Sequence, residues 1–157
     1  MTELPAGAGT VEDQISLKRH IDTYHWLANN YRWDDWASLL SADTVFEVAS
    51  AGRTYRGHEE AFARLRAGIE DRYKATQHTI VNTYFEVHGD SEASGVGNLI
   101  FVGVFDPGQP AVNYLSGGRY EWRFRRSDSV TGWQTTYTEL RFVWELNEAS
   151  ASNFFSG

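Results

Sequence analysis

KATQHTIVNTYFEVHGDSEASGVGNLIFVGV, residues 74–104, reads as two strands joined by the turn His88-Gly89-Asp90-Ser91. β-branched and aromatic residues fill both arms, and the Gly-Asp pair supplies the turn between them. One histidine, His78, stands on the first arm between Gln77 and Thr79. What the rest of the chain places around that imidazole decides the chemistry open to the protein.

Downstream of this hairpin only strands follow, expected over 113–126 and 132–146. Their connections lie at Asp106-Pro107-Gly108-Gln109-Pro110 and at 127–132. Upstream the pattern is helical. Thr10 caps the first helix, with Asp13 in a box-like arrangement. Ile15, Leu17, Ile21, Tyr24, Leu27, Ala28 and Tyr31 then recur at helical spacing, predicting a helix over 12–31. Asp34 and Asp35 cap a short second helix. Residues 43–50 alternate as a strand, and Ala51-Gly52 turns it back through 53–56. Gly57-His58-Glu59-Glu60 opens a third helix with Phe62, Leu65 and Ile69 on one face.

Helices first and long strands last predict an α+β fold. We expect a cone-shaped barrel: a strongly curved mixed, mainly antiparallel sheet, with the N-terminal helices closing a pocket on its concave side. One domain spans 11–147, after a flexible arm (1–10) and before a polar tail (148–157). The tail carries Phe154-Phe155, a pair that docks on a groove or a neighbouring subunit, or is disordered.

At 157 residues the chain suits a single domain with a core large enough to hold a pocket. A net charge of −7 argues against nucleic acid, which demands a basic patch. The one basic cluster, Arg119 to Arg126, fits a solvated strand face. Without cysteine, disulfides and thiolate catalysis are excluded. The N-terminus lacks a basic region followed by an apolar run, and no window is apolar enough to span a bilayer. The expectation is a soluble, cytoplasmic protein with no membrane partner. Six Trp, eight Tyr and nine Phe exceed what a core of this size needs. They line an apolar cavity, pack the core or form a subunit interface, and a homo-oligomer (dimer or trimer) is expected. His20, His25, His58 and His88 show no metal-like spacing with carboxylates, so no metal site is expected.

Four stretches in order, Trp33-Asp-Asp-Trp-Ala-Ser-Leu-Leu, Ala42-Asp-Thr-Val-Phe, Tyr55-Arg-Gly-His-Glu-Glu-Ala and Thr76-Gln-His-Thr-Ile-Val-Asn, resemble the SnoaL-like branch of the nuclear-transport-factor-2-like superfamily. The resemblance covers residues 12–146 and is greatest to the scytalone dehydratase and hexachlorocyclohexane dehydrochlorinase group, and to natural-product isomerases and cyclases. It implies a cone-shaped α+β barrel, no metal, no organic cofactor, and acid–base work on a small apolar substrate. That group pairs a pocket histidine with an aspartate late in the first helix. His78 falls on the histidine position. The aspartate position, aligned through Trp36 and Leu39, falls on Arg32. A second histidine of the dehydratases would fall near Gly103 and is missing, while a tyrosine before the aspartate is kept as Tyr31. Syn elimination by a His–Asp dyad is thus left without its carboxylate.

Candidate roles follow. His78 moves a proton, since a neutral imidazole at pH 7 suits a buried acid–base site. Arg32 would hold a carbonyl or oxyanion by charge-assisted hydrogen bonds. The family places Tyr120, Leu99 and Phe101 in the interior, with Tyr120 a proton donor or carbonyl clamp. Tyr24, Tyr31, Trp36, Leu99, Phe101 and Tyr137 make up the expected substrate contacts. On the last strand Tyr137, Glu139 and Arg141 share one face, and Thr136, Thr138 and Leu140 the other. If the first set is internal, Glu139 supplies the missing carboxylate; if not, it pairs across strands with Arg119 or Arg123.

The resulting expectation is a cofactor-independent isomerase or cyclase, through ring closure or a semipinacol-type shift, acting on an apolar secondary-metabolite intermediate. A dehydratase of the scytalone dehydratase type is the alternative within enzymes. A non-catalytic subunit, like the small subunit of ring-hydroxylating dioxygenases, is the alternative outside them. The enzymatic reading expects an open cavity of roughly a few hundred Å³ with His78 in its wall. The non-catalytic one expects a cone filled by aromatic rings.

Overall fold

A computed structural model describes residues 7–147. Helix α1 (Val11–Asn29) begins as its sequence dictates. Thr10 Oγ1 accepts from the Asp13 N–H at 3.1 Å, and Asp13 Oδ2 accepts from the Thr10 N–H at 2.9 Å, closing a capping box. Of the arm expected over 1–10, residues 7–10 are seated: Ala8 is buried, and the Val87 N–H donates to Gly7 O at 2.6 Å.

The far end of α1 departs from expectation. The Tyr31 N–H donates to Ala28 O at 3.2 Å and the Arg32 N–H to Leu27 O at 3.0 Å, the paired bonds of a Schellman stop. Tyr31 takes the left-handed conformation this stop requires, at φ +56°, where glycine is the usual occupant. The helix therefore ends at Asn29 instead of running through Tyr31.

A short helix α2 (Trp33–Ala37) leads into β1 (Leu40–Val48) and β2 (Arg53–Arg56), and α3 (His58–Ile69) follows. Four long strands complete the chain: β3 (Ala75–His88), β4 (Glu92–Val104), β5 (Tyr114–Arg126) and β6 (Trp133–Leu146). They form one six-stranded sheet in the order β2-β1-β6-β5-β4-β3. All pairings are antiparallel except β1 with β6, so the sheet is mixed. Irregularities at Val81/Tyr84, Gly117/Gly118 and Arg123/Phe124 bend the long strands. The curved sheet makes the expected cone, with the helices over its hollow. Its edge strands β2 and β3 are not bonded to each other.

Inside the cone, alternate residues of β4 are Gly95, Gly97, Leu99, Phe101 and Gly103. The glycines are there for room. A Cβ on Gly95 would overlap the Phe85 ring, one on Gly97 would press on Trp122, and one on Gly103 would overlap Tyr73. Four of the six tryptophans (33, 36, 122 and 133) are buried, so much of the aromatic excess is core. The tail from 148, with Phe154-Phe155, lies outside the described residues.

Replacing Gly103 by Val should force Tyr73 off Phe101 and Phe105, whose ring centroids lie 5.7 and 4.9 Å from its own. The expected cost is about 1–3 kcal/mol, read as a lowered urea midpoint at unchanged m-value.

Candidate active site

The hollow between sheet and helices encloses a cavity of about 70 Å³, with Tyr24, His25, Trp36, His78, Phe101 and Tyr120 in its wall. That is smaller than the few hundred Å³ expected, because aromatic side chains fill most of the cone. A bound water takes up about 30 Å³, so a substrate-sized ligand must push rings aside.

His78 enters from β3 and meets α1 at Asn29. The His78 backbone N–H donates to Asn29 Oδ1 at 2.9 Å, which fixes that atom as the carboxamide oxygen. His78 Nδ1 lies 2.7 Å from the same oxygen and so must carry the hydrogen. The lone pair is left on Nε2. Burial, with His25 second, lowers the His78 pKa to about 3, so the ring is neutral at pH 7.

His25 stands beside it, with ring centroids 5.6 Å apart. It is buried, and its Nδ1 lies 2.9 Å from Ile21 O one turn back. A carbonyl can only accept, so this ring too carries its hydrogen on Nδ1. Burial lowers its pKa to about 4, against a small upward pull from the Ile21 carbonyl and Asp22. Tyr120 comes from β5, 5.5 Å from His25 between centroids, and burial raises its pKa. The site therefore offers unprotonated imidazole nitrogens and a phenol that keeps its hydrogen. The same two histidines also border an outer crevice of about 360 Å³ with Asp22, Trp26 and Asn30.

Tyr24, Trp36, Leu99, Phe101, Tyr120 and His78 all lie in the cavity wall. Arg32 does not. The Schellman stop turns the chain outward before it, and its guanidinium pairs with Asp35 at the surface, 61% exposed. Asn29, one turn earlier, occupies the place expected for the partner of His78. Tyr31 is also outside the wall: it stacks on Trp33 at 6.1 Å and its O–H donates to Tyr73 O at 3.3 Å.

Glu139 and Tyr137 belong to the outer face of β6. The irregularity opposite Arg123 and Phe124 takes up Thr136, so that Thr135, Thr138 and Leu140 face inward. Outside, the Tyr137 O–H lies 2.7 Å from Glu47 Oε2 and 3.3 Å from Glu139 Oε2. Glu139 pairs with Arg141 at 2.9 Å. Neither of the two alternatives for Glu139 holds, since its cationic neighbour is on its own strand.

Sequence reasoning missed Asn29 and His25. Their spacing of one helical turn, on the face that carries Tyr24 and Ala28, was the available signal. His20, also on α1, is structural: Thr131 Oγ1 and Thr135 Oγ1 meet its two ring nitrogens at 2.7 and 2.8 Å. Among the described residues no group of His, Cys, Asp and Glu is arranged to hold a metal, and no helix is long and apolar enough to cross a membrane.

Burial holds the folded-state pKa values of His20, His25 and His78 at about 3, about 4 and about 3, below the ordinary 6.5. The unfolded chain thus binds more protons below pH 6.5. Stability from the neutral rings is complete above that pH and is lost as pH falls toward 3. By pH 5 each ring should cost on the order of 1–2 kcal/mol, seen as a falling urea midpoint between pH 7 and 5. His20→Asn should flatten that slope.

The fold is shared with proteins of low sequence identity. A protein provisionally described as a scytalone dehydratase, from Novosphingobium aromaticivorans, superposes with a TM-score of 0.76 at 16% identity, covering 86% of this chain and 87% of that one. A type 3 hexachlorocyclohexane dehydrochlorinase from Novosphingobium barchaimii gives 0.71 at 19% identity, with 85% and 88% covered. A protein from Kribbella flavida gives 0.76 at 16%, with 88% and 96% covered. None of the curated proteins matches the chain by sequence. The SnoaL-like domain model matches residues 9–139, a span from the α1 cap to the outer face of β6 that takes in His25, Asn29, His78 and Tyr120, and the chain belongs to the SnoaL-like domain family.

Proposed function

We propose that this protein is a cofactor-independent acid–base catalyst that isomerises or cyclises a small apolar ring compound bearing a carbonyl. The observation that carries this reading is His78: an imidazole in the wall of an apolar cavity, its tautomer set by Asn29, with the buried phenol of Tyr120 in the same wall. In the proposed reaction Nε2 takes a proton from a carbon or hydroxyl next to the carbonyl. The Tyr120 O–H donates to the carbonyl oxygen as negative charge gathers there, the electrostatic assistance such reactions need. Asn29 Oδ1 keeps accepting from Nδ1–H of the imidazolium. His78 then returns the proton from Nε2 at a second position, so no proton is lost or gained overall.

A carboxamide at Asn29 orients the ring without neutralising it. The imidazolium is therefore high in energy, which favours a proton held briefly and handed back. Membership of the SnoaL-like family supports the reading, as do structural neighbours whose names denote a dehydratase and a dehydrochlorinase. Arg32 and Glu139 have no part in it. The small cavity volume favours a second reading, a non-catalytic module whose cone is filled by its own side chains.

The test is isomerisation of 3-cyclohexenone and of its bicyclic counterpart to the conjugated ketones, followed by ultraviolet absorbance. The protein should accelerate at least one of them, with His78→Ala slower by about 10²–10⁴-fold. Asn29→Ala should lose about 10-fold or more by releasing the ring orientation. No acceleration over buffer would leave the filled-cone reading in its place, and His78→Ala turning over at the wild-type rate would remove His78 from the chemistry.

A further inference from the structure

His25 lines the cavity and carries an acceptor that the mechanism above does not use. The residue is 4% exposed, and its Nε2 is buried with no hydrogen-bond partner among the described residues. The Nδ1 bond to Ile21 O holds the ring along α1. Unlike the Ser116 hydroxyl, which also lacks a partner but can rotate, the lone pair of His25 has a fixed direction. Its ring sits in the cavity wall between His78 and Tyr120, at centroid distances of 5.6 and 5.5 Å. Neither neighbour is bonded to it.

A buried acceptor without a donor is costly, and it is satisfied by a ligand that brings the missing hydrogen. We propose that His25 is a specificity-determining residue that accepts a hydrogen bond from a hydroxyl of the bound molecule, so that the cavity selects hydroxylated ring compounds over their deoxy counterparts. The inference rests on the cavity being the substrate site, as proposed above, and narrows the substrate to a ring that carries a hydroxyl as well as a carbonyl. Sites built around a buried polar partner reject a ligand lacking the matching group far more strongly than apolar pockets reject an extra one. Burial keeps the ring neutral near pH 7, so the acceptor is present under ordinary conditions.

Phenol and toluene, which differ by O–H against CH₃ at nearly equal volume, are the probes. Binding to the full chain is measured by calorimetry. Wild-type protein should hold phenol about 10-fold or more tighter than toluene, although apolar transfer alone favours toluene. His25→Phe should lose that preference through weaker phenol binding, with toluene held as well or better. Because this variant removes a core imidazole, nitrogen-15 spectra of the wild-type protein supply an independent reading. Phenol should shift the His25 Nε2 resonance in the direction of an accepted hydrogen bond, and toluene should not. Equal affinity for the two probes, or a shift at His78 with none at His25, would overturn the assignment. A phenol preference in a protein without enone turnover would support this inference while removing the catalytic one. Turnover without the preference would do the reverse.

Discussion

The carboxamide oxygen of Asn29 accepts two hydrogens from one residue, the backbone N–H and the Nδ1–H of His78. This double contact ties the last turn of α1 to strand β3, two elements that are remote in sequence. It sets where the helix sits over the sheet, which tautomer the histidine adopts and which nitrogen keeps its lone pair. An aspartate there would make the same bonds and add a charge, raising the proton affinity of the ring. The neutral amide leaves desolvation as the dominant influence, so the imidazole stays unprotonated near pH 7.

Much of the architecture was readable before any coordinates. Alternating β-branched and aromatic residues marked the four long strands to within a residue or so at most ends, and Thr10 with Asp13 marked the start of α1. His78 was identified on its strand, and the inward placing of Leu99 and Phe101 on β4 came from the family resemblance. The helix stop was not readable. Nothing in Asn30-Tyr31-Arg32 announces a left-handed residue, because tyrosine is a poor occupant of that conformation and the tertiary contacts of Tyr31 with Trp33 and Tyr73 hold it there. The expected partner of His78 was counted back from Trp36 and Leu39 across this stop, and the count landed on Arg32 instead of Asn29.

The last strand failed for a different reason. Period-two alternation sorts faces only while the ladder is regular, and β6 absorbs an extra residue at Thr136 opposite Arg123 and Phe124. The faces on either side of that point cannot be joined by counting. Parallel pairing with β1, which puts Glu47 level with Glu139, is equally invisible to local sequence. The aromatic surplus was ambiguous in principle: Trp122 and Trp133 plug the core, whereas Trp36 and Phe101 border the cavity, and composition cannot divide them.

The unbonded seam between β2 and β3 bears on how so tight an interior could receive a guest. A closed barrel can dilate only by breaking main-chain ladders, whereas here the sheet is open, with α1 packed on β3 and α3 on β1 and β2. Small outward shifts of α3 against β1 would enlarge the chamber while every strand pairing, and the Asn29 tie between α1 and β3, stayed whole. For the substrate proposed above, the give would come from α3, while His78, Asn29 and Tyr120 stay on elements bonded to one another.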